Sequence, residues 1–91
     1  MSLFHKLNKQ RLEGLRDGFD DMWGVVMHPQ TYYDLIGECY NDQIALRVDS
    51  EADYIFGLRI IPSWGQDAGE FTIVDELLGR QIIGKEVTFK I

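Results

Sequence analysis

The side chains of this sequence with the widest chemical repertoire are two histidines, one cysteine and several adjacent acids. His28 stands in "GVVMHPQTYYDLIG", residues 24–37, between a β-branched run and a proline. A histidine in such a place is a candidate general base or metal ligand. Its only companion, His5, lies beside Lys6, and neither belongs to an H-x-x-x-H pair, so a metal site would need distant carboxylates. Pro29 offers a simpler expectation: His28 occupies a strand-to-helix corner, where its ring satisfies a backbone group. Cys39 follows Glu38 in the most acidic part of the chain. Carboxylates there would raise a thiol's pKa, which suits a buried, inert cysteine rather than a nucleophile. Asp20 with Asp21, and Asp75 with Glu76, are adjacent acids that diverge on either a helix or a strand and make no ready carboxylate pair. "DSEAD", residues 49–53, lacks the length and central glycine of a calcium loop. Gly79 and Gly84 are not followed by the G-K-[ST] of a phosphate loop; after Gly84 and Lys85, Glu86 stands where the hydroxyl belongs. The expectation is a chain with no catalytic constellation, no cofactor and no metal.

The elements that carry these residues are legible from spacing. Leu3, Leu7, Leu12, Leu15, Phe19 and Met22 recur at gaps of three, four and five, which predicts an amphipathic helix over residues 2–22 with Ser2 as its cap. Gly14 and Gly18 each weaken it by about 1 kcal/mol relative to alanine, so it should depend on tertiary packing. "WGVVM", 23–27, predicts a strand that Pro29 ends, and Pro29–Tyr40 a helix with Tyr32, Tyr33, Ile36 and Tyr40 at helical spacing. "QIALRV", 43–48, reads as a strand or structured turn, "DSEAD" as a loop, and "YIFGLRIIPSW", 54–64, as the strongest strand, closed by Pro62 or placed by it at an edge. "GQDAG", 65–69, is a turn-rich link into "EFTIVDELL". In the tail, "GRQIIGKEVTFKI", Val87, Phe89 and Ile91 alternate with Glu86, Thr88 and Lys90, which predicts a final strand with one wet face. The 91 residues therefore predict a single α+β domain, 1–91. An N-terminal amphipathic helix and a second short helix should pack on a small, mostly antiparallel sheet of four to five strands.

Composition narrows the partners. The formal charge is -6, and no lysine or arginine occurs between Arg16 and Arg47, where Asp17, Asp20, Asp21, Asp34, Glu38 and Asp42 all fall. Such a surface repels phosphate backbones, so direct nucleic-acid binding is not expected. No apolar run approaches the roughly 20 residues that cross a bilayer, and "MSLFHKLNKQRLEG" puts polar residues where a secretory signal needs its apolar centre. One cysteine excludes an internal disulfide. The expected location is the interior of a cell. A domain this small buries only about 60–65% of the surface its unfolded chain exposes, which makes a homo-oligomer, a dimer first, the expected state, with the final strand as the pairing edge.

Aromatic residues are the remaining surplus. Tyrosine and tryptophan concentrate at protein contacts, where a large apolar body and a polar tip are both used. The candidate interaction residues are Trp23, Tyr32, Tyr33, Tyr40 and Trp64, with Asp42, Asp49, Glu51 and Asp53 as the acidic set. These features point to a non-enzymatic protein-interaction or structural module. Two alternatives differ in class: a small acidic inhibitor of a nucleic-acid-handling host protein, and a small enzyme with its site at His28.

The order of segments also has a family likeness. In "WGVVMHPQTYYDLI", 23–36, a strand enters a Met-x-Pro turn and then a helix; "IFGLRIIPS", 55–63, and "GEFTIVDEL", 69–77, follow. That succession, spanning residues 23–77, resembles part of the major capsid proteins of tailed bacteriophages. The resemblance implies that Met27, Pro29, Leu35, Gly57, Ile60 and Ile61 determine the fold rather than catalyse. It also implies a virion-associated or capsid-related protein, located in the virion or the host cytoplasm. This chain is much shorter than a capsid protein and has no room for the long extended arm.

Overall fold

The computed structural model describes residues 2–41, 47–48 and 53–89. Helix α1, Leu3–Arg16, begins where its capping residue predicts: the Ser2 hydroxyl accepts the His5 N–H at 3.1 Å and the Ser2 carbonyl accepts that of Lys6 at 3.0 Å. The helix stops at Arg16 instead of reaching Met22. Gly18 adopts φ 94°, the left-handed conformation that costs glycine little. The Phe19 N–H then reaches back to the Gly14 carbonyl at 2.9 Å, and the Gly18 N–H to that of Leu15 at 3.1 Å. This pair of bonds is a Schellman stop, so the second glycine ends the helix instead of weakening its middle.

Strand β1, Gly24–Met27, is buried along its whole length. Helix α2, Pro29–Asn41, follows after the single residue His28. Two residues, Arg47–Val48, form β2. The stretch expected to be one long strand is a hairpin, β3 (Asp53–Ile55) and β4 (Leu58–Pro62). Its two-residue turn has φ 54° at Phe56 and 75° at Gly57, the positive pair of a type I′ turn. An L-residue in that region is strained by roughly 1–2 kcal/mol. Phe56 is held there by the Phe4 ring, 5.0 Å away, and by the Arg11 guanidinium, 4.7 Å over its face. Pro62 ends β4 as expected. Strand β5, Thr72–Val74, leads directly into α3, Glu76–Phe89.

That last helix corrects the tail, which the alternation of residues 86–91 marks as a strand. Asp75 caps it, its side chain accepting the Leu78 N–H at 2.9 Å, and Glu76 pairs with Arg80 one turn on at 2.7 Å. Ile82 and Ile83 then pack inward together, so a helical face wins over a short run of period two. The proposed pairing edge at the end of the chain is therefore a helix as far as Phe89.

The sheet order is β2-β3-β4-β1-β5, with β1 and β4 parallel and the other three pairings antiparallel. The α+β class and the mostly antiparallel sheet hold, with three helices rather than two. Side chains alternate across β1 to serve two cores. Val25 and Met27 join Leu7, Leu35, Cys39, Ile55, Leu58, Ile60 and Phe71 under α1 and α2, whereas Val26 joins Ile61 and Val74 under α3. Each fully buried aliphatic side chain contributes about 1.5–3 kcal/mol. Polar bonds tie the α1/α2 layer to the loop before β5: the Thr31 hydroxyl, buried, accepts the Gly69 N–H at 2.7 Å, and the Lys6 ammonium donates to the Gly69 carbonyl.

Candidate interaction surface

His28 is the first residue whose role the structure makes plain. Its Nδ1 accepts the Gln30 N–H at 3.0 Å, and its carbonyl accepts the Tyr32 N–H at 3.0 Å. The imidazole thus acts as an N-cap, satisfying a donor that the first helical turn would leave unpaired. Accepting that bond requires a lone pair on Nδ1, which places the proton of the neutral ring on Nε2. This is the corner role that Pro29 suggests. Truncation to alanine should cost about 1 kcal/mol in urea unfolding, and asparagine, which also caps, should restore most of it. Equal losses for both replacements would refute the cap.

Trp64 stands against the edge of this ring, with centroids 5.3 Å apart and planes at 86°. Both residues lie just beyond the C-terminal ends of the parallel strands, β1 at Met27 and β4 at Pro62. Trp64 is nevertheless 74% exposed. Along α2, Tyr33 and Tyr40 are 76% and 85% exposed. Seven residues separate them, close to two helical turns and about 10.5 Å, so they share one outward stripe. Three large aromatic side chains are thus held in water by a helix and a short turn that are themselves well anchored.

The other candidates divide. Trp23 is half-buried and packs between layers: Gly79 of α3 lies against its six-membered ring, and the guanidinium groups of Arg59 and Arg80 stand 5.7 and 5.4 Å from its centroid. Tyr32 is half-buried against the first core. Asp53 is half-buried at the start of β3, and Asp42, Asp49 and Glu51 lie outside the described residues. Cys39 is buried, 3% exposed. Among the other acids, Asp75 caps α3 and Glu76 pairs with Arg80, while Asp20 and Asp21 are exposed in the link to β1. Among the described residues, no group of three or more histidine, cysteine or acidic side chains is placed to hold a metal ion. No helix among them is long and apolar enough to cross a membrane.

No family model, curated protein or solved structure matches this chain.

Two groups escape the spacing argument. Leu12 and Leu15, placed by periodicity on the inward side of α1, are 52% and 44% exposed. The signal is the five-residue gap between Leu7 and Leu12, which turns the helix through 500°, about 140° away from the buried line. Leu77 and Leu78 are exposed in the first turn of α3. Glu38, counted with the acidic surface, instead bonds to the start of α1: its two carboxylate oxygens accept the N–H groups of Leu3 at 2.9 Å and Phe4 at 3.0 Å.

Proposed function

We propose that the chain is a non-enzymatic module that binds protein, with the exposed aromatics of α2 and Trp64 as its contact. The observation that carries this reading is the exposure of Tyr33, Tyr40 and Trp64 on anchored backbone. Burying such side chains recovers a large apolar area at a small entropic cost, because each has few rotors and is already positioned. His28, the best candidate for a catalytic base, is occupied as a helix cap.

The same reading makes the protein a structural component of a virion or of its assembly in the host cytoplasm. Its support is the resemblance to a capsid-protein segment, in which Met27, Pro29, Leu35, Gly57, Ile60 and Ile61 act as fold determinants. Of these, Met27, Leu35, Ile60 and Ile61 are core residues, Pro29 opens α2 and Gly57 completes the hairpin turn.

Association kinetics with an isolated partner test the proposal. Trp64→Ala should weaken binding by about 2 kcal/mol or more, as expected of an aromatic hot spot. Replacing Asp42, Asp49, Glu51 and Asp53 by their amides should leave the association rate nearly unchanged. If the amides slow association strongly while Trp64→Ala has no effect, the acidic-inhibitor function is the correct one.

A further inference from the structure

Helix α2 carries a glycine in its interior that the fold does not require. Glycine weakens a helix interior relative to alanine, so a structural reason for one is expected. Packing supplies it elsewhere: a Cβ at Gly14 would meet Met22, and one at Gly79 would meet Trp23. At Gly37 a Cβ would meet nothing within 4 Å, and the residue has no positive φ. Gly84 of α3 is equally open, but no aromatic residue stands three or four positions to either side of it. Gly37 has Tyr33 four residues before it and Tyr40 three after, both exposed, and all three share one line of the helix surface. The helix therefore leaves an open slot between two exposed tyrosines, about 6 Å along the axis from one and about 4.5 Å from the other.

An acid borders this slot. Asp34 is exposed and lies three residues before Gly37, which makes the two neighbours on the surface. Its Oδ1 accepts the Gln30 side-chain amide at 3.0 Å, and no base pairs with it among the described residues. Helix α2 has no lysine or arginine, and its other acid, Glu38, is taken up by the start of α1. The slot offers two aromatic rings and one carboxylate without a cation.

We propose that the slot over Gly37 takes an arginine side chain of the partner protein, with its guanidinium between Tyr33 and Tyr40 and bonded to Asp34. The proposal rests on the interaction module above and names the side chain which that module recognises. A flat guanidinium between two rings needs about 3.5 Å on each side, about 7 Å in all. The span of about 10.5 Å between the tyrosines admits it. Arginine stacks on aromatic faces, is weakly hydrated and presents a fork of donors to a carboxylate. Lysine keeps the charge but has neither the plane nor the fork. An apolar side chain would fill the slot, yet it would strip water from Asp34 and return no bond. Any side chain at position 37 would occupy the place of the guest, which gives the glycine its reason.

Titration with N-acetyl-arginine amide, followed on the backbone amide NMR signals, tests this beside the same derivatives of citrulline, lysine and leucine. Citrulline has nearly the shape of arginine without its charge. The arginine probe should shift the signals of Tyr33, Asp34, Gly37 and Tyr40 saturably at millimolar concentration. Citrulline and leucine should bind at least about fivefold more weakly, with lysine between them and arginine. Asp34→Asn should weaken the arginine probe about fivefold and leave the leucine probe unaffected. Gly37→Leu should abolish binding, with an unchanged circular dichroism spectrum as the control for folding. Should that variant lose the spectrum, Tyr40→Ala replaces it, and it too should weaken the arginine probe. The proposal is overturned by the lack of a saturable shift, by citrulline, lysine or leucine binding as tightly as arginine, or by a folded Gly37→Leu variant that still binds. If it fails while a captured protein partner is still lost on replacing Tyr33, Tyr40 and Trp64 by alanine, the arginine slot alone falls and the interaction module stands. A partner that this triple variant retains removes both.

Discussion

Replacing Glu38 by alanine is expected to lower stability by about 2–3 kcal/mol, far more than an acid on a solvated surface would. The N–H groups of Leu3, Phe4 and His5, in the first turn of α1, have no backbone partner within the helix. The Ser2 hydroxyl satisfies that of His5, and Glu38, from the next helix, satisfies those of Leu3 and Phe4. The carboxylate is also an anion at the positive end of a helix dipole, which strengthens both bonds. Its removal leaves two donors unpaired and loosens α1 from α2. For a domain of this size the loss corresponds to a fall in Tm of about 10–20 °C. Glu38→Gln, which keeps one carbonyl acceptor, should lose less. Asp21→Ala, at an exposed acid, should stay within about 0.5 kcal/mol of the parent. A Glu38→Ala loss no larger than that of Asp21→Ala would show that the tertiary cap does not hold the helix.

Gly79→Ala is expected to destabilise by about 2 kcal/mol, against the sign that helix propensity alone predicts. In an open helix this change is worth about 1 kcal/mol of stabilisation. Here the added Cβ would fall 2.5 Å from two carbons of the Trp23 ring, and a rigid indole cannot yield as a flexible chain end would. Either α3 lifts from the sheet or Trp23 leaves its place between Arg59 and Arg80. Repeating the substitution in a Trp23→Leu background separates the terms: once the ring is gone, alanine at 79 should become stabilising. The same sign in both backgrounds would contradict the packing of α3 on Trp23.

Both predictions concern contacts that local patterns do not announce. The Ser2 cap, β1, the start of α2 at Pro29 and the corner role of His28 are readable because each depends on neighbouring residues. The hairpin turn is hidden because phenylalanine is a poor residue for positive φ, and Phe56 is held there by Phe4 and Arg11 from the far end of the chain. Helix α3 is announced by Asp75 and the helix formers after it, yet the alternation over residues 86–91 is a competing signal of similar strength. Glu38 resembles any other surface acid until folding sets it at the end of α1. The proposed interaction surface is legible to a similar extent: composition indicates aromatic wealth, but only burial separates Tyr33, Tyr40 and Trp64 from Trp23 and Tyr32.

The most direct test of the proposed interaction module is capture of a protein partner from host lysate on the immobilised chain, at low and at high salt. Wild-type chain is compared with a variant carrying Tyr33→Ala, Tyr40→Ala and Trp64→Ala. The expected result is a protein partner, capsid or assembly components included, that stays bound in high salt and is lost with the triple variant. Recovery of a polymerase or nuclease that salt releases, nucleic acid displaces and the triple variant still binds would contradict it.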